Sequence, residues 1–320
     1  MLRVLEVTLP VFALVFCGFL GQRRGMLPKG VVEGLNAFVF QFALPAMIFR
    51  IVAKQPPESF ADWRYLGGYL SASLAVYLIA RNRTLAARKT RTPADRSRAT
   101  AFALHTTHGN VGYLGVPLAI ELGGGIAAPM ILAVMADIFV VIALSIALLE
   151  IDRRDAGPDA RSGAGSLFVT VFSGLARSPL VLSIAAGLAW SLAGPPLPDV
   201  ADTFTRILGG AAGPCALFAI GASLGDRRVV IDRTVGALVG AKLLLHPLLA
   251  AVALTAFGCD ARMVAAGVLA ASLPGASNSF IIASRYGVET REITAALLVG
   301  TFAGLATVSL VIWLSGLGPG

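Results

Sequence analysis

Charged residues are scarce in this sequence. Lysine, arginine, aspartate and glutamate make up 14% of the 320 residues, whereas a soluble domain usually carries about 25%. Apolar residues make up 56%, and four long apolar stretches contain one charge or none: 66–80, 126–149, 235–257 and 293–314. Since a helix needs roughly 20 apolar residues to cross the hydrocarbon core, the sequence predicts an integral membrane protein.

The sequence also lacks the motifs of several other classes of protein. Its three cysteines (Cys17, Cys215 and Cys259) are odd in number and show no paired spacing, which argues against a disulfide framework or a zinc site. It has no His-Glu-x-x-His motif and no phosphate-binding Gly-x-x-x-x-Gly-Lys-Ser loop. We therefore expect no enzyme, no primary pump, no metal site and no cofactor.

The basic residues predict a topology rather than a nucleic-acid partner. The net charge is +8, and nineteen of the twenty-six lysines and arginines fall in alternate loops on one side of the predicted spans. The positive-inside rule makes that side cytoplasmic. The chain is thus predicted to cross the inner (plasma) membrane ten times with both termini outside. The predicted spans are 4–21, 31–52, 62–80, 99–121, 126–149, 179–194, 203–224, 235–257, 263–285 and 293–315.

A polar linker over 150–178 divides the chain into two predicted units of five spans each, 1–149 and 179–320. The linker itself is predicted to be cytoplasmic and to end in an interfacial helix. Five is an odd number, so corresponding spans of the two units run in opposite directions.

A proline pattern relates the two units. Pro10 and Pro45 are 35 residues apart, and so are Pro179 and Pro214. An inverted repeat is typical of secondary transporters. Coincidence between common residues is the alternative explanation.

Two predicted spans, the fourth and the ninth, are poor membrane helices because Gly, Pro and Asn interrupt them near the bilayer midplane. Backbone groups that proline leaves free cannot face lipid, so these segments should line a cavity. New half-helices are expected to start near Pro117 and Pro274, and such starts attract anions. The alternative is close helix packing at the glycines. The predicted substrate-binding residues are Asn110, Gly112, Gly115, Pro117, Pro274, Gly275, Ser277 and Asn278.

Six pieces of the sequence, in order along the chain, carry a family resemblance: Leu35-Asn36, 43–45, 110–117, 214–224, Lys242 with Pro247, and 274–287. Together they resemble the auxin efflux carrier family and its bacterial malonate-type permeases. The resemblance implies ten transmembrane helices in two inverted five-helix repeats, with helices four and nine crossing, as in the related bile acid:sodium symporter fold. It also implies small organic anions as substrates, such as auxin, malonate or malate.

Titratable residues inside the predicted spans are candidates for coupling. Asp137 could carry a proton, pair with Lys242 or face water, since an intramembrane acid is costly. Lys242 could attract the anion or extend to the inner surface. His105 and His108 share one helix face and could titrate near neutral pH or only line the pathway. These two histidines and His246 depart from the family pattern. The coupling or pathway candidates are His105, His108, Asp137, Lys242 and Asn36.

The sequence therefore predicts a secondary transporter that moves a mono- or dicarboxylate by alternating access, through an elevator-like or rocking movement. H+ or Na+ is the expected coupling ion, the lipid bilayer is the expected environment, and a homodimer is a possible assembly. The alternatives are a sodium-coupled symporter of a bulkier, bile-acid-like acid, and a channel or sensor.

Overall fold

A computed structural model describes residues 2–87, 91–123, 125–155, 179–225 and 231–317. Within these ranges the chain forms helices and no named strand, apart from one isolated antiparallel bridge between Gly109 and Gly275. The predicted all-α class is therefore confirmed. Most of the predicted linker over 150–178 lies outside the described residues, and the division into two units stays a prediction.

The helices fall into two series on either side of that linker. The first series is α1 (Leu2–Arg23), α2 (Val31–Phe38), α3 (Leu44–Ala53), α4 (Trp63–Ala86), α5 (Pro93–Thr107), α6 (Val116–Leu122), α7 (Ala127–Ala136) and α8 (Ala143–Asp155). The second is α9 (Pro179–Ala193), α10 (Asp199–Gly210), α11 (Ala212–Gly225), α12 (Arg233–Gly240), α13 (His246–Ala256), α14 (Ala261–Ser272), α15 (Asn278–Arg285) and α16 (Arg291–Leu314).

In the described part of the chain, four π-helical turns join neighbouring helices into longer segments, and three of them end two residues before a proline. A proline has no amide donor, and its ring clashes with the carbonyl group one turn earlier. The wider π turn relieves that clash, so these prolines lie within helical segments. The three turns are Val39–Ala43 before Pro45, Val111–Gly115 before Pro117, and Ala241–Leu245 before Pro247. The fourth, Asp137–Ile142, joins α7 to α8 without a proline.

Five segments among the described residues are long and apolar enough to cross a membrane. These lengths and compositions agree with an integral membrane protein. The count of ten crossings stays a prediction. The five segments are Val31–Ala53, Ala127–Arg153, Asp199–Ser223, Arg233–Ala256 and Arg291–Leu314.

Helices from the two series pack backbone against backbone at glycine. A Cβ atom on Gly18 in α1 would collide with the carbonyl oxygen of Phe218 in α11. A Cβ atom on Gly187 in α9 would lie 3.1 Å from the carbonyl oxygen of Phe49 in α3. Gly18 and Gly187 are 169 residues apart, and so are Phe49 and Phe218. The same close contact, which small residues permit in membrane proteins, therefore occurs twice. Its residues are related by 169 positions, as Pro10 is to Pro179 and Pro45 is to Pro214.

Candidate functional site

Two helical interruptions lie close together inside the protein. The first covers residues 108–110, between α5 and the π turn that precedes α6. The second covers residues 273–277, between α14 and α15. Both fall within the spans that the sequence identifies as poor helices. That each interruption divides a single membrane crossing stays a prediction.

The two interruptions pair with each other through their backbones. The amide of Asn110 donates to the carbonyl oxygen of Pro274 at 2.8 Å, and the amide of Ala276 donates to the carbonyl oxygen of His108 at 3.1 Å. This short antiparallel bridge satisfies backbone groups that the interrupted helices leave free, as the interior of a membrane protein requires.

Two glycines permit this approach. A Cβ atom on Gly275 would lie 2.6 Å from Cε1 of His105, and one on Gly109 would lie 3.0 Å from Nζ of Lys242. Both distances are shorter than side chains tolerate without moving. Gly275 therefore makes room for the imidazole of His105, which is itself held 3.0 Å from the hydroxyl of Ser279.

A cavity of about 900 Å³ lies against the bridge. Asn110, Ser277 and Asn278 line it at the two interruptions, and Asn36 lines it from α2. The structure thus brings together four of the residues predicted from sequence. A volume of this order is typical of small-molecule sites.

Two helical segments start at this cavity. The first helical hydrogen bond after the 108–110 interruption runs from the amide of Leu114 to the carbonyl oxygen of Asn110 (3.0 Å), and the π turn begins at Val111. The α15 helix begins at Asn278. The first amides of a helix have no partner within that helix, and the helix dipole gives them partial positive charge. Both starts therefore favour an anion.

The remaining predicted residues of the fourth span do not line this cavity. Gly112 and Gly115 pack against apolar side chains, those of Leu44 and Leu273. A half-helix start was predicted near Pro117, but the helical segment starts six residues earlier, at Val111. Pro117 lies within that segment, in α6, because the π turn accommodates its ring. Pro117 instead lines a separate cavity of about 520 Å³ together with Arg50, Ile120, Glu121 and Arg206.

His108 connects the first cavity to a buried carboxylate. Its Nδ1 lies 3.1 Å from Oδ2 of Asp137, and its Nε2 lies 3.5 Å from Nδ2 of Asn278. The hydroxyl of Tyr69 donates to Oδ1 of Asp137 at 3.5 Å. The side chain of Asp137 is 1% exposed and that of His108 is 8% exposed. Asp137 is thus held by His108 and Tyr69.

Lys242 takes part in a second buried group. Its side chain does not extend to the surface, because the residue is only 1% exposed. Nζ donates to the carbonyl oxygen of Ala271 at 2.9 Å and to that of Thr107 at 3.3 Å. It also lies 3.0 Å from Nδ1 of His246, whose Nε2 is 3.1 Å from the hydroxyl of Ser73.

The sequence alone does not identify several members of these two buried groups. Tyr69 and Ser73 lie one turn apart on α4 and Ser279 lies on α15; each is an ordinary residue of an apolar helix when taken alone. The four-residue spacing of Tyr69 and Ser73, which puts both on one helix face, was the available signal. In the sequence, His246 stands out only as a departure from the family pattern.

Comparisons with known proteins agree over nearly the whole chain. A family model described as "Membrane transport protein" matches residues 3–314. A "Putative malonate transporter" of Rhizobium meliloti (strain 1021) is 32% identical over 98% of this chain and 96% of its own length. The uncharacterized transporter YfdV of Escherichia coli (strain K12) is 25% identical over 96% of each chain. A lysosomal cholesterol signaling protein of Mus musculus is 24% identical over 98% of this chain, which spans 37% of that relative.

Proposed function

Because this chain belongs to the membrane transport protein family, the family of the auxin efflux carriers, we propose that it is a secondary transporter of a small organic anion. The substrate is a mono- or dicarboxylate of about the size of malonate or malate, bound in the 900 Å³ cavity between Asn110 and Asn278. The observation that carries this proposal is the pair of helix starts and amide side chains at one cavity. The malonate named for the relative from Rhizobium meliloti is consistent with it.

The chemistry of the cavity suits a carboxylate. The amide groups of Asn110 and Asn278 can each donate to a carboxylate oxygen, and the free amides of the two helical segments that start there add partial positive charge. A dicarboxylate could accept from both interruptions at once. At the two interruptions an anion can therefore be bound through amide groups, and Lys29 also lines the same cavity.

Two cavities at the ends of one helical segment support alternating access. The segment Val111–Leu122 contributes Tyr113 to the 900 Å³ cavity, and Pro117 and Glu121 to the 520 Å³ cavity. The repeated Gly18–Phe218 and Gly187–Phe49 contacts support an inverted repeat, the arrangement in which one half moves against the other. We propose ten crossings of the inner membrane, with both termini outside and the larger cavity open to the cytoplasm.

The pair of His108 and Asp137 supports coupling to protons. With Nδ1–H donating to Asp137, neutral His108 can only accept at Nε2, which lies 3.5 Å from the side-chain amide of Asn278, a residue that lines the cavity. A second proton would turn Nε2 into a donor and leave a cation beside the carboxylate of Asp137. A proton and a substrate carboxylate would then bind together. The other titratable groups that act on this pair are Tyr65, Tyr69, His105 and Lys242.

Replacing Asn110 and Asn278 by alanine tests the site. Each hydrogen bond to a charged carboxylate contributes about 1.5–3 kcal/mol, so each variant should bind substrate roughly tenfold or more weakly. Uptake of labelled malonate and malate into proteoliposomes measures the effect. Asn82→Ala, at an exposed position of α4, is the matched control and should leave uptake unchanged.

The same assay separates this function from its alternatives. Full uptake and affinity in the Asn110→Ala/Asn278→Ala double variant would refute the site. Because the cavity also has room for bulkier acids, the panel includes a bile acid, and sodium-dependent uptake of that acid alone would favour a bile-acid-like symporter. Ion currents far above transporter turnover would favour a channel.

A further inference from the structure

The ammonium of Lys242 is an unusual buried group, because two helices end beside it. Thr107 is the last residue of α5, and Ala271 is the residue before the last of α14. Their carbonyl oxygens lie 3.3 and 2.9 Å from Nζ. The carbonyl groups at a helix C-terminus lack partners within the helix and carry partial negative charge. Two such ends therefore meet at one point inside the protein.

The ammonium completes its hydrogen bonds at this point. It has three N–H donors, and three acceptors surround it: the two helix-end carbonyl oxygens and Nδ1 of His246 at 3.0 Å. The other nitrogen of His246 lies 3.1 Å from the hydroxyl of Ser73. Because an ammonium can only donate, Nδ1 of His246 must accept from it, and the proton of the neutral ring then lies on Nε2, which can donate to the hydroxyl of Ser73.

The surrounding backbone leaves space for the ammonium. A Cβ atom at position 109 would lie 3.0 Å from Nζ and 3.4 Å from Cε of Lys242. Gly109 is also one partner of the backbone bridge between the two interruptions. Any larger residue at this position would displace Nζ. The glycine in the interruption that lines the substrate cavity therefore leaves the space that Nζ occupies.

Carbonyl oxygens at the C-terminal ends of half-helices, next to unwound backbone, are the ligands with which transporters bind a coupling sodium ion. Here the same kind of ligand set is filled by a cation that belongs to the chain. We propose that the ammonium of Lys242 is a tethered replacement for a bound monovalent cation, so that transport by this protein requires no sodium. This inference rests on the proposed transport function.

Removing the ammonium should convert the protein into one that needs a free cation. Lys242→Ala leaves two helix ends without a counter-charge and opens space beside them. In choline chloride its uptake should fall by about tenfold or more. Sodium or propylammonium should restore a large part of that uptake. Lys242→Met, which fills the space with an uncharged side chain, should be equally impaired and should not recover.

The test compares wild type and both variants in sodium, choline and propylammonium chloride. Uptake is measured in proteoliposomes, and the thermal unfolding midpoint is measured in detergent. We expect wild type to show the same uptake and the same unfolding midpoint in sodium and in choline. Of the two variants, only Lys242→Ala should recover uptake and be stabilised in sodium or propylammonium. Three results would overturn the inference. They are wild-type uptake that needs sodium, full uptake by Lys242→Ala in choline, and a loss of uptake in Lys242→Ala that neither sodium nor propylammonium restores.

The thermal measurement separates this inference from the proposed function. If wild type takes up no anion of the panel in any salt, the transport proposal fails. The unfolding midpoints then still decide: a wild-type protein that sodium stabilises over choline contradicts the tethered cation. Because this comparison needs only wild type, it remains decisive even where both variants fail to fold.

Discussion

Gly221→Ala is expected to remove most of the stably folded protein. Position 221 lies in α11 where that helix touches α1, and a Cβ atom there would collide with the carbonyl oxygen of Val15 and lie 2.9 Å from the amide nitrogen of Phe19. Both neighbours are backbone atoms, so no side-chain rotation can relieve the collision. The two helices would have to separate and would lose the close packing that holds membrane helices together.

The expected loss exceeds that of ordinary overpacking, which costs about 1–3 kcal/mol. A destabilisation of about 3 kcal/mol or more should lower the unfolding midpoint by roughly 10 °C, with a matching loss of monodisperse protein after solubilisation. Gly300→Ala is the matched control. Gly300 is also buried in a helix, α16, but nothing lies within 4 Å of its Cβ position. There alanine should be neutral or stabilising. An unchanged midpoint for Gly221→Ala would show that α1 and α11 pack less closely than described.

Asp137→Asn is expected to abolish proton-driven uptake. The substitution keeps the shape of the side chain but removes the charge that would stabilise a protonated His108, 3.1 Å away. Removing one partner of a buried ion pair costs about 3–5 kcal/mol. Net uptake driven by a pH gradient should therefore fall by roughly 100-fold or more, and the residual uptake should no longer depend on the gradient.

This readout separates coupling from a structural role. A merely destabilised transporter would lose amplitude and keep its pH dependence. Asp152→Asn is the control, because Asp152 is a buried carboxylate on the same helical segment as Asp137 and pairs with Arg96 at 2.7 Å. It should retain the pH dependence of wild type. If Asp137→Asn also retained that dependence, the proton would have to be carried elsewhere.

Individual side chains show why the site was only partly predictable. Asn110 and Asn278 could be selected because glycine and proline surround them in otherwise apolar spans, and both line the cavity. Pro117 was selected for the same reason, yet a π turn absorbs its ring and the residue faces another cavity. Whether a proline breaks a helix depends on the neighbouring turn, and the proline itself does not reveal that.

Partners across the chain were the least predictable feature. A pairing of Asp137 with Lys242 is one of the alternatives that the sequence predicts. In the structure Asp137 lies against His108, and Lys242 donates to carbonyl oxygens at helix ends. These partners come from different helices, separated by up to 135 residues. Which helix faces meet is a matter of packing, and no periodicity within one helix specifies it.

The sequence by itself determined that the chain is helical, apolar and of the transporter family, because hydropathy, helix length and ordered motifs are properties that neighbouring residues carry along the chain. Only the tertiary structure decided that two interruptions pair through Gly109 and Gly275 and that one buried ammonium joins the ends of two helices. Those contacts exist because backbone groups and charges inside the protein must find partners wherever packing brings them, and such partners lie far away in sequence.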